Sequence, residues 1–393
     1  MAAAATREAV ITMNGAREID RAGFLRLVGL GMAAVGAGAA LPVREATAGA
    51  PRALAVYSGN FSPAIELAEL NLADGELTGT GSVPGVDSPA FLIGNADGTR
   101  VYAVNDIDEG RVTALSVGPD GGLTVLGSQP AHAVMPTHLA IFPGGQHLIV
   151  ANYGSGSTAV FPILPDGALG PQTDLVQYEG SGPVPGRQEG PHAHMVAIAP
   201  DGRHVLVPDL GTDTIHVHGL NTGTGKLETL GEARLAPGAG PRHLVFHPRA
   251  PFLYVANELD STVTVCAHDG AQVTPGQVIS TVPPGAPDNF PAEILISADG
   301  RFVYVSNRGH DSIARFAVEA AGERLRLVDT VPCGGRWPRH IAITPDGRWM
   351  HASNQYSNTI TAFQVDPDSG ALSPVGEPFP TPSPVCLLHG GTR

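Results

Sequence analysis

The sequence predicts an all-β fold, a seven-bladed β-propeller of four-stranded blades. Three observations predict it: a repeated strand–turn–strand unit, a near-constant period, and half-units at the two ends that complete each other. The unit is clearest at residues 240–259, GPRHLVFHPRAPFLYVANEL, where a short apolar strand, a tight turn and a second apolar strand end on a polar residue. It returns as SPAFLIGNADGTRVYAVND, MPTHLAIFPGGQHLIVANY, PHAHMVAIAPDGRHVLVPDL, FPAEILISADGRFVYVSNR and WPRHIAITPDGRWMHASNQ. The closing residues Asn105, Asn152, Asp209, Asn257, Asn307 and Asn354 recur 47 to 50 positions apart, with one longer interval. A period of that size with strands inside it is the signature of one propeller blade per repeat.

Each unit continues into a third strand, as at residues 262–267 and 312–318, and a weaker fourth. At the ends, LAVYSG (54–59) reads as a second strand without its first, and PVCLL (384–388) as a first without its second. Joined, they form a composite closing blade that leaves no free sheet edge. The propeller domain is therefore 51–393 of the 393 residues, and the 50 glycines and 35 prolines supply its turns. The recurrent Asp-Gly pairs at Asp97, Asp201, Asp299 and Asp346 are turn chemistry. A net charge of −14 argues against a nucleic-acid partner, which would need a basic stripe.

Residues 1–50 stand outside the repeat. RAGFLR (21–26) precedes an apolar run to Leu41, and Ala46-Thr47-Ala48 offers a small-residue cleavage site. The layout reads as an export signal, twin-arginine-like but with Ala22 where the second arginine belongs, and it places the protein in the cell envelope or outside the cell. The alternative is an N-terminal extension on a cytoplasmic enzyme. The run is too short and too rich in Gly and Ala for a membrane span, so no membrane partner is expected of the mature form. Cys266, Cys333 and Cys386 are odd in number and far apart, which indicates neither a disulfide framework nor a zinc site.

The longer interval, between Asn152 and Asp209, ends in Arg187, Gln188, Glu189, Gly190, Pro191, His192, Ala193 and His194. A polar insertion on a propeller face is where binding residues gather. Inner strands line the central channel, so equivalent positions form a ring: Phe91, His138, His194, His243, Glu293, His340 and Cys386. The hairpin brings the end of the second strand back to the same face, about fifteen residues on, at Tyr153, Asp209, Glu258, Arg308 and Gln355. This spacing puts His194 near Asp209, Arg242 and His243 near Glu258, and Glu293 near Arg308.

Such a rim suits small-molecule chemistry. Arg242 and Arg308 can grip a carboxylate or phosphate bidentately, and imidazoles and Glu258 can move protons near neutral pH. No G-x-S-x-G elbow and no Gly-rich phosphate loop is present. Hydrolysis by activated water fits the groups better than a covalent serine route. His192 and His194 have metal-ligand spacing but lack a further ligand set, and no metal or other cofactor is expected. Trp337 and Trp349 read as packing.

From Leu54 to Leu388 the chain resembles the seven-bladed lactonase family, which contains the propeller-type 6-phosphogluconolactonases and the fungal carboxymuconate-lactonizing enzymes. The resemblance rests on RQEGPHAH (187–194), DLGTD (209–213), GPRHLVFHP (240–248), NEL (257–259) and AEILISADGRFVYVSNRG (292–309). It implies metal-independent lactone chemistry at the channel mouth, with His194, Arg242, Glu258 and Arg308 as catalytic residues. His138, Arg187, Gln188, His192, Asp209, His243, Glu293 and His340 complete the expected substrate-binding set. In this reading Arg242 and Arg308 hold the acyl oxygen and any anionic group, and His194 or Glu258 deprotonates the attacking water. The expected partner is a small, anionic lactone, and the expected assembly a monomer or homodimer. Three functions stay open: a 6-phosphogluconolactonase-like enzyme, an exported lactonase or lactonizing enzyme for an unphosphorylated lactone, and a non-catalytic binding propeller of the cell envelope.

Overall fold

Strands buried on both faces read as continuous apolar runs, and the second strands of the repeat do so. Arg100–Asn105, His147–Asn152, Phe252–Asn257 and Trp349–Asn354 are buried along nearly their whole length. In the computed structural model, which describes residues 53–392, they sit second from the inside of four-stranded antiparallel sheets. There are seven such sheets, and the first is composite: Pro384–Thr392 is its innermost strand, followed by Ala53–Asn60, Ala64–Asn71 and Leu77–Pro84. We number the blades one to seven in chain order, with this composite blade as blade one. Seven apolar clusters form, each shared by two successive blades, and the last joins Leu54, Val56 and Leu387 to Ala342 and Ile360. The circle closes through burial, as well as through the β-ladder of Ala53–Asn60 with Pro384–Thr392. The export signal expected over residues 1–50 lies outside the described residues.

The inner strands carry a shared irregularity. Pro241 pairs with Asn257 and His243 with Ala256, so Arg242 is an extra residue. Thr137, Arg339 and Val385 are extra in the same way in blades three, seven and one, and in blade six Ala292 and Glu293 together oppose Ser306. Such a bulge re-aims the side chains around it. Consecutive residues, Arg242 with His243 and Arg339 with His340, thereby both reach the channel. Blade four differs from expectation. Its inner strand is only Ala197–Ile198, and its upper part is reduced to an isolated bridge between Ala193 and Asp209. The chain entering from the insertion keeps the hairpin through His194 N–Pro208 O and Leu210 N–His192 O bonds, and the regular ladder starts only beyond Val196.

In five of the seven blades one position of the second strand latches the blade to the next. Tyr57, Tyr102, Tyr254 and Tyr304 donate their hydroxyls to Gly121, Gly167, Gly322 and Gly370 carbonyls one blade on, at 2.8–3.0 Å. In blade seven the same place holds His351, whose Nε2 donates to Gly75 O of blade one at 3.2 Å. That fixes its tautomer, so Nδ1 accepts from His389 Nε2, also at 3.2 Å. Burial depresses both imidazoles, His351 to about 4 and His389 to about 3.

A buried neutral histidine takes up a proton on unfolding, so stability falls as pH drops below the ordinary value near 6.5, until the folded-state value is reached. Unfolding free energy measured in urea should decline from pH 6.5 to pH 4. His351→Gln should shrink that slope by up to about 1.4 kcal/mol per pH unit. An unchanged slope in the variant would contradict a neutral latch at the closing seam.

Candidate functional site

Glu258 stands one residue past the end of Phe252–Asn257, where its amide bonds Gly240 O at 2.8 Å. Its carboxylate meets three guanidiniums. Oε1 accepts from Arg187 Nη2, Oε2 accepts from Arg308 Nη2 at 2.5 Å, and Arg242 Nε lies 3.2 Å from Oε2. Two of the arginines are anchored on blade six: Arg242 Nη1, from blade five, donates to Ala292 O at 2.7 Å, and Arg308 Nε to Phe290 O of its own blade at 3.0 Å. Burial would raise the Glu258 carboxyl, but Arg308, Arg242 and Arg187 outweigh it and hold it down at about 2. Burial, Arg308 and Arg339 press Arg242 downward, yet a guanidinium starts so high that it stays charged.

Arg187 comes from the insertion, and Gln188 beside it keeps the loop in place. Gln188 is buried, donates to Leu210 O and to Asp213 Oδ1 at 2.8 Å each, and accepts from Val184 N at 3.1 Å. Gly190 and Gly211 meet so closely that a Cβ on Gly211 would lie 1.9 Å from Gly190 O. His192 stacks on Tyr153 with centroids 4.5 Å apart and shares a 2.9 Å bond with the Tyr153 carbonyl.

Beneath this layer the expected ring gathers at the channel centre. His138 packs 4.1 Å from Phe91 and 5.3 Å from His243, and His194 lies 5.1 Å from His243. Glu293 is the ring's anion, 3.1 Å from His243 Nδ1 and 3.5 Å from His340 Nε2. Burial, against the pull of Glu293, holds His340 at about 4. His138, His194 and His243 are likewise driven well down by burial, helped for His194 by Arg242, His243, Arg339 and Arg308. All four are neutral at pH 7, and the buried Nδ1 of His194 has no protein partner among the described residues.

Above the ring opens a cavity of about 270 Å³, walled by Glu258, Arg187, Arg308, His194, Tyr153 and Thr137, and by Asp106, Arg339, Met135, Phe290 and Trp337. Met135 and Trp337 each precede the proline of an inner strand and sit at φ +53° and +64°. This left-handed backbone is strained for such side chains and turns them to the cavity wall. Blade five has Gly240 at that place, where a Cβ would come within 2.4 Å of Leu259.

The structure brings His194, Arg187, Glu258 and Arg308 together at the cavity, with Arg242 directly behind Glu258. It seats His138, His243, Glu293 and His340 one layer deeper. Gln188, His192 and Asp209 do not line the cavity. Asp209 accepts from the backbone N–H groups of His192 and Gly211 at 2.7 and 2.9 Å, and so shapes the loop rather than the site. Two expected proximities are corrected. Glu293 faces His243 and His340 instead of Arg308, and His243 faces Glu293 instead of Glu258, because these contacts run between blades rather than within a hairpin. The packing role expected of Trp337 is also corrected, since it lines the cavity with Arg308 Cζ 5.6 Å from its ring centroid. Trp349 is buried packing, with Nε1 bonded to Leu72 O.

Sequence reasoning passed over Asp106 and Arg339, though both left a signal. Asp106 is fifteen residues after the ring position Phe91. Arg339 repeats the Pro-Arg-His triplet of Arg242. Three guanidiniums line the cavity, those of Arg187, Arg308 and Arg339, against the carboxylates of Glu258 and Asp106, and Arg242 stands behind Glu258; the surplus of positive charge favours an anionic ligand.

Removing the central anion tests this arrangement. Glu258→Ala leaves three guanidiniums uncompensated and should cost about 3–5 kcal/mol in urea unfolding. Millimolar inorganic phosphate should restore part of the loss by binding the native state. A loss under about 1 kcal/mol, insensitive to phosphate, would show that Glu258 does not hold the arginines.

The comparisons bear on the same stretch of chain. Residues 53–389 match the family model described as Lactonase, 7-bladed beta-propeller. A 6-phosphogluconolactonase of Bacillus subtilis is 32% identical over 309 residues, 77% of this chain and 88% of its own. The solved structure of a periplasmic gluconolactonase from Pseudomonas aeruginosa is similar at a TM-score of 0.82 and 30% identity, covering 86% of this chain and 99% of that one. A protein from Lactobacillus plantarum is similar at a TM-score of 0.81 and 30% identity, covering 86% and 99%. On the matched span and on these identities, the chain belongs to the seven-bladed β-propeller lactonase family.

Proposed function

We propose that this protein hydrolyses an anionic sugar lactone to its hydroxy acid, in the manner of a 6-phosphogluconolactonase. The observation that carries the reading is the surplus of positive charge at a sugar-sized cavity that a neutral imidazole, His194, also lines. Arg308 and Arg339 stand where they can polarise a lactone carbonyl and stabilise the oxyanion that forms on it. Arg187, a third exposed on the cavity wall, suits a phosphate or carboxylate on the far end of the substrate. His194, neutral and on the cavity wall, can hold the attacking water or the substrate. Glu258 keeps the arginines aligned; a carboxyl held at about 2 between three cations is a poor proton acceptor at neutral pH.

A second reading has its own support. Trp337, stacked on Tyr356 at 4.9 Å and 5.9 Å from Phe290, offers an aromatic shelf for the face of an uncharged sugar ring. With the export signal expected of residues 1–50, it favours an exported enzyme for an unphosphorylated lactone. The gluconolactonase of Pseudomonas aeruginosa, periplasmic by its description, supports that variant.

Ring opening followed by pH-stat on 6-phosphogluconolactone and on gluconolactone separates the two. The anionic reading predicts a KM at least tenfold lower for the phosphorylated lactone and loss of that preference in Arg187→Ala. Equal KM values would sink the anionic reading and leave the exported one. No ring opening of any lactone would sink both.

A further inference from the structure

We infer that Asp106 is the general base that activates the attacking water, a catalytic residue of this site. The inference rests on the lactone-hydrolase reading and deepens it. It starts from the two carboxylates that line the cavity, Glu258 and Asp106, whose surroundings are opposite. Both oxygens of Glu258 are committed to guanidiniums. Asp106 follows the second strand Arg100–Asn105, its amide bonded to Ser88 O at 2.9 Å, and no hydrogen bond or ion pair among the described residues holds its carboxylate. Two carboxyls in one cavity whose environments drive them apart are how acid–base roles are divided.

The charged and titratable groups sharing the cavity with Asp106 are Arg339 from blade seven, His194 and Tyr153 from blades four and three, Arg187 from the insertion, and Glu258 and Arg308 from blades five and six. Burial lifts the Asp106 carboxyl to about 6, partly opposed by Arg339. It is therefore ionised at pH 7 yet close enough to pH to accept a proton. His194 is the weaker candidate on charge. As a base it would become an imidazolium beside Arg242, Arg308 and Arg339, whereas Asp106 becomes neutral as the negative charge passes to the oxyanion.

The step balances without a redox partner. Asp106 takes one proton from water while the water oxygen bonds the lactone carbonyl carbon and the carbonyl π pair moves onto its oxygen, facing Arg308 and Arg339. Collapse reforms the C=O and breaks the ring C–O bond. The departing ring oxygen takes the proton back from Asp106 as a hydroxyl, and the new carboxylic acid ionises to solvent.

The test is the pH dependence of kcat for the whole chain, wild type and variants, with the lactone that the pH-stat assay finds fastest. Wild type should lose activity with unit slope below pH about 6. Asp106→Asn should lower kcat at pH 7 at least 100-fold with KM within threefold, and abolish that acid limb. Asp106→Glu should recover part of kcat with the limb moved, and His194→Gln should keep the limb in place whatever its kcat. A folded Asp106→Asn within threefold of wild-type kcat, or a wild-type profile flat from pH 7 to 5, overturns the assignment; the flat profile does so even where the Asn variant does not fold. Active wild type with an innocent Asp106 leaves the lactonase reading standing. Wild type inert on every lactone overturns both.

Discussion

Glu258 sits within ion-pair reach of Arg187, Arg242 and Arg308, and these three cations arrive from three separate parts of the chain. Arg187 belongs to the insertion of blade four, Arg242 to the inner strand of blade five, and Arg308 to the second strand of blade six. Brought together without an anion, they would repel in a region where little water remains to screen them. The carboxylate converts that repulsion into a rigid fan of donors aimed at one cavity. The same commitment removes it from proton transfer and turns attention to the other carboxylate of the cavity.

The propeller supplies the geometry on which this fan rests. The repeat length is also the interaction length: Arg308 meets Glu258, His243 meets Glu293 and Arg242 meets the Ala292 carbonyl, each pair 50 residues apart. Bulges at the tops of the inner strands let two consecutive residues face the channel where a regular strand would show one. Left-handed residues just before them, Met135 and Trp337, turn apolar side chains toward the same space. The result is two layers, a neutral imidazole ring around Glu293 and a cationic rim above it. The latches from Tyr57, Tyr102, Tyr254, Tyr304 and His351 hold successive blades in register beneath both.

Much of this was legible in the sequence. The blade count, the composite closing blade and the ring of channel-facing residues follow from the period alone, because equivalent positions in a closed repeat must share a radius and a height. The fifteen-residue offset located Tyr153, Glu258 and Arg308 on the cavity wall, and applied to Phe91 it reaches Asp106 too. An apolar ring residue hid that extension. Pairing was less legible. Hairpin logic set Glu293 against Arg308, but long side chains at the rim reach sideways to the next blade, and the bulge shifts Glu293 off the expected register. Gln188 and Asp209 looked like ligands for substrate; their polar atoms are consumed by loop backbone, and sequence alone does not reveal which donors a folded loop leaves unpaired.

One buried carboxylate orders the guanidiniums into a fan of donors, and under the proposed function that fan receives the acyl group of a lactone and an attached anion. A crystal structure with the hydroxy-acid product soaked in, 6-phosphogluconate, tests it most directly. The product carboxylate is expected against Arg308 and Arg339, the phosphate toward Arg187, and Glu258 still bound to its three arginines beneath. Product bound away from this cavity, or arginines splayed apart with Glu258 free, would contradict it.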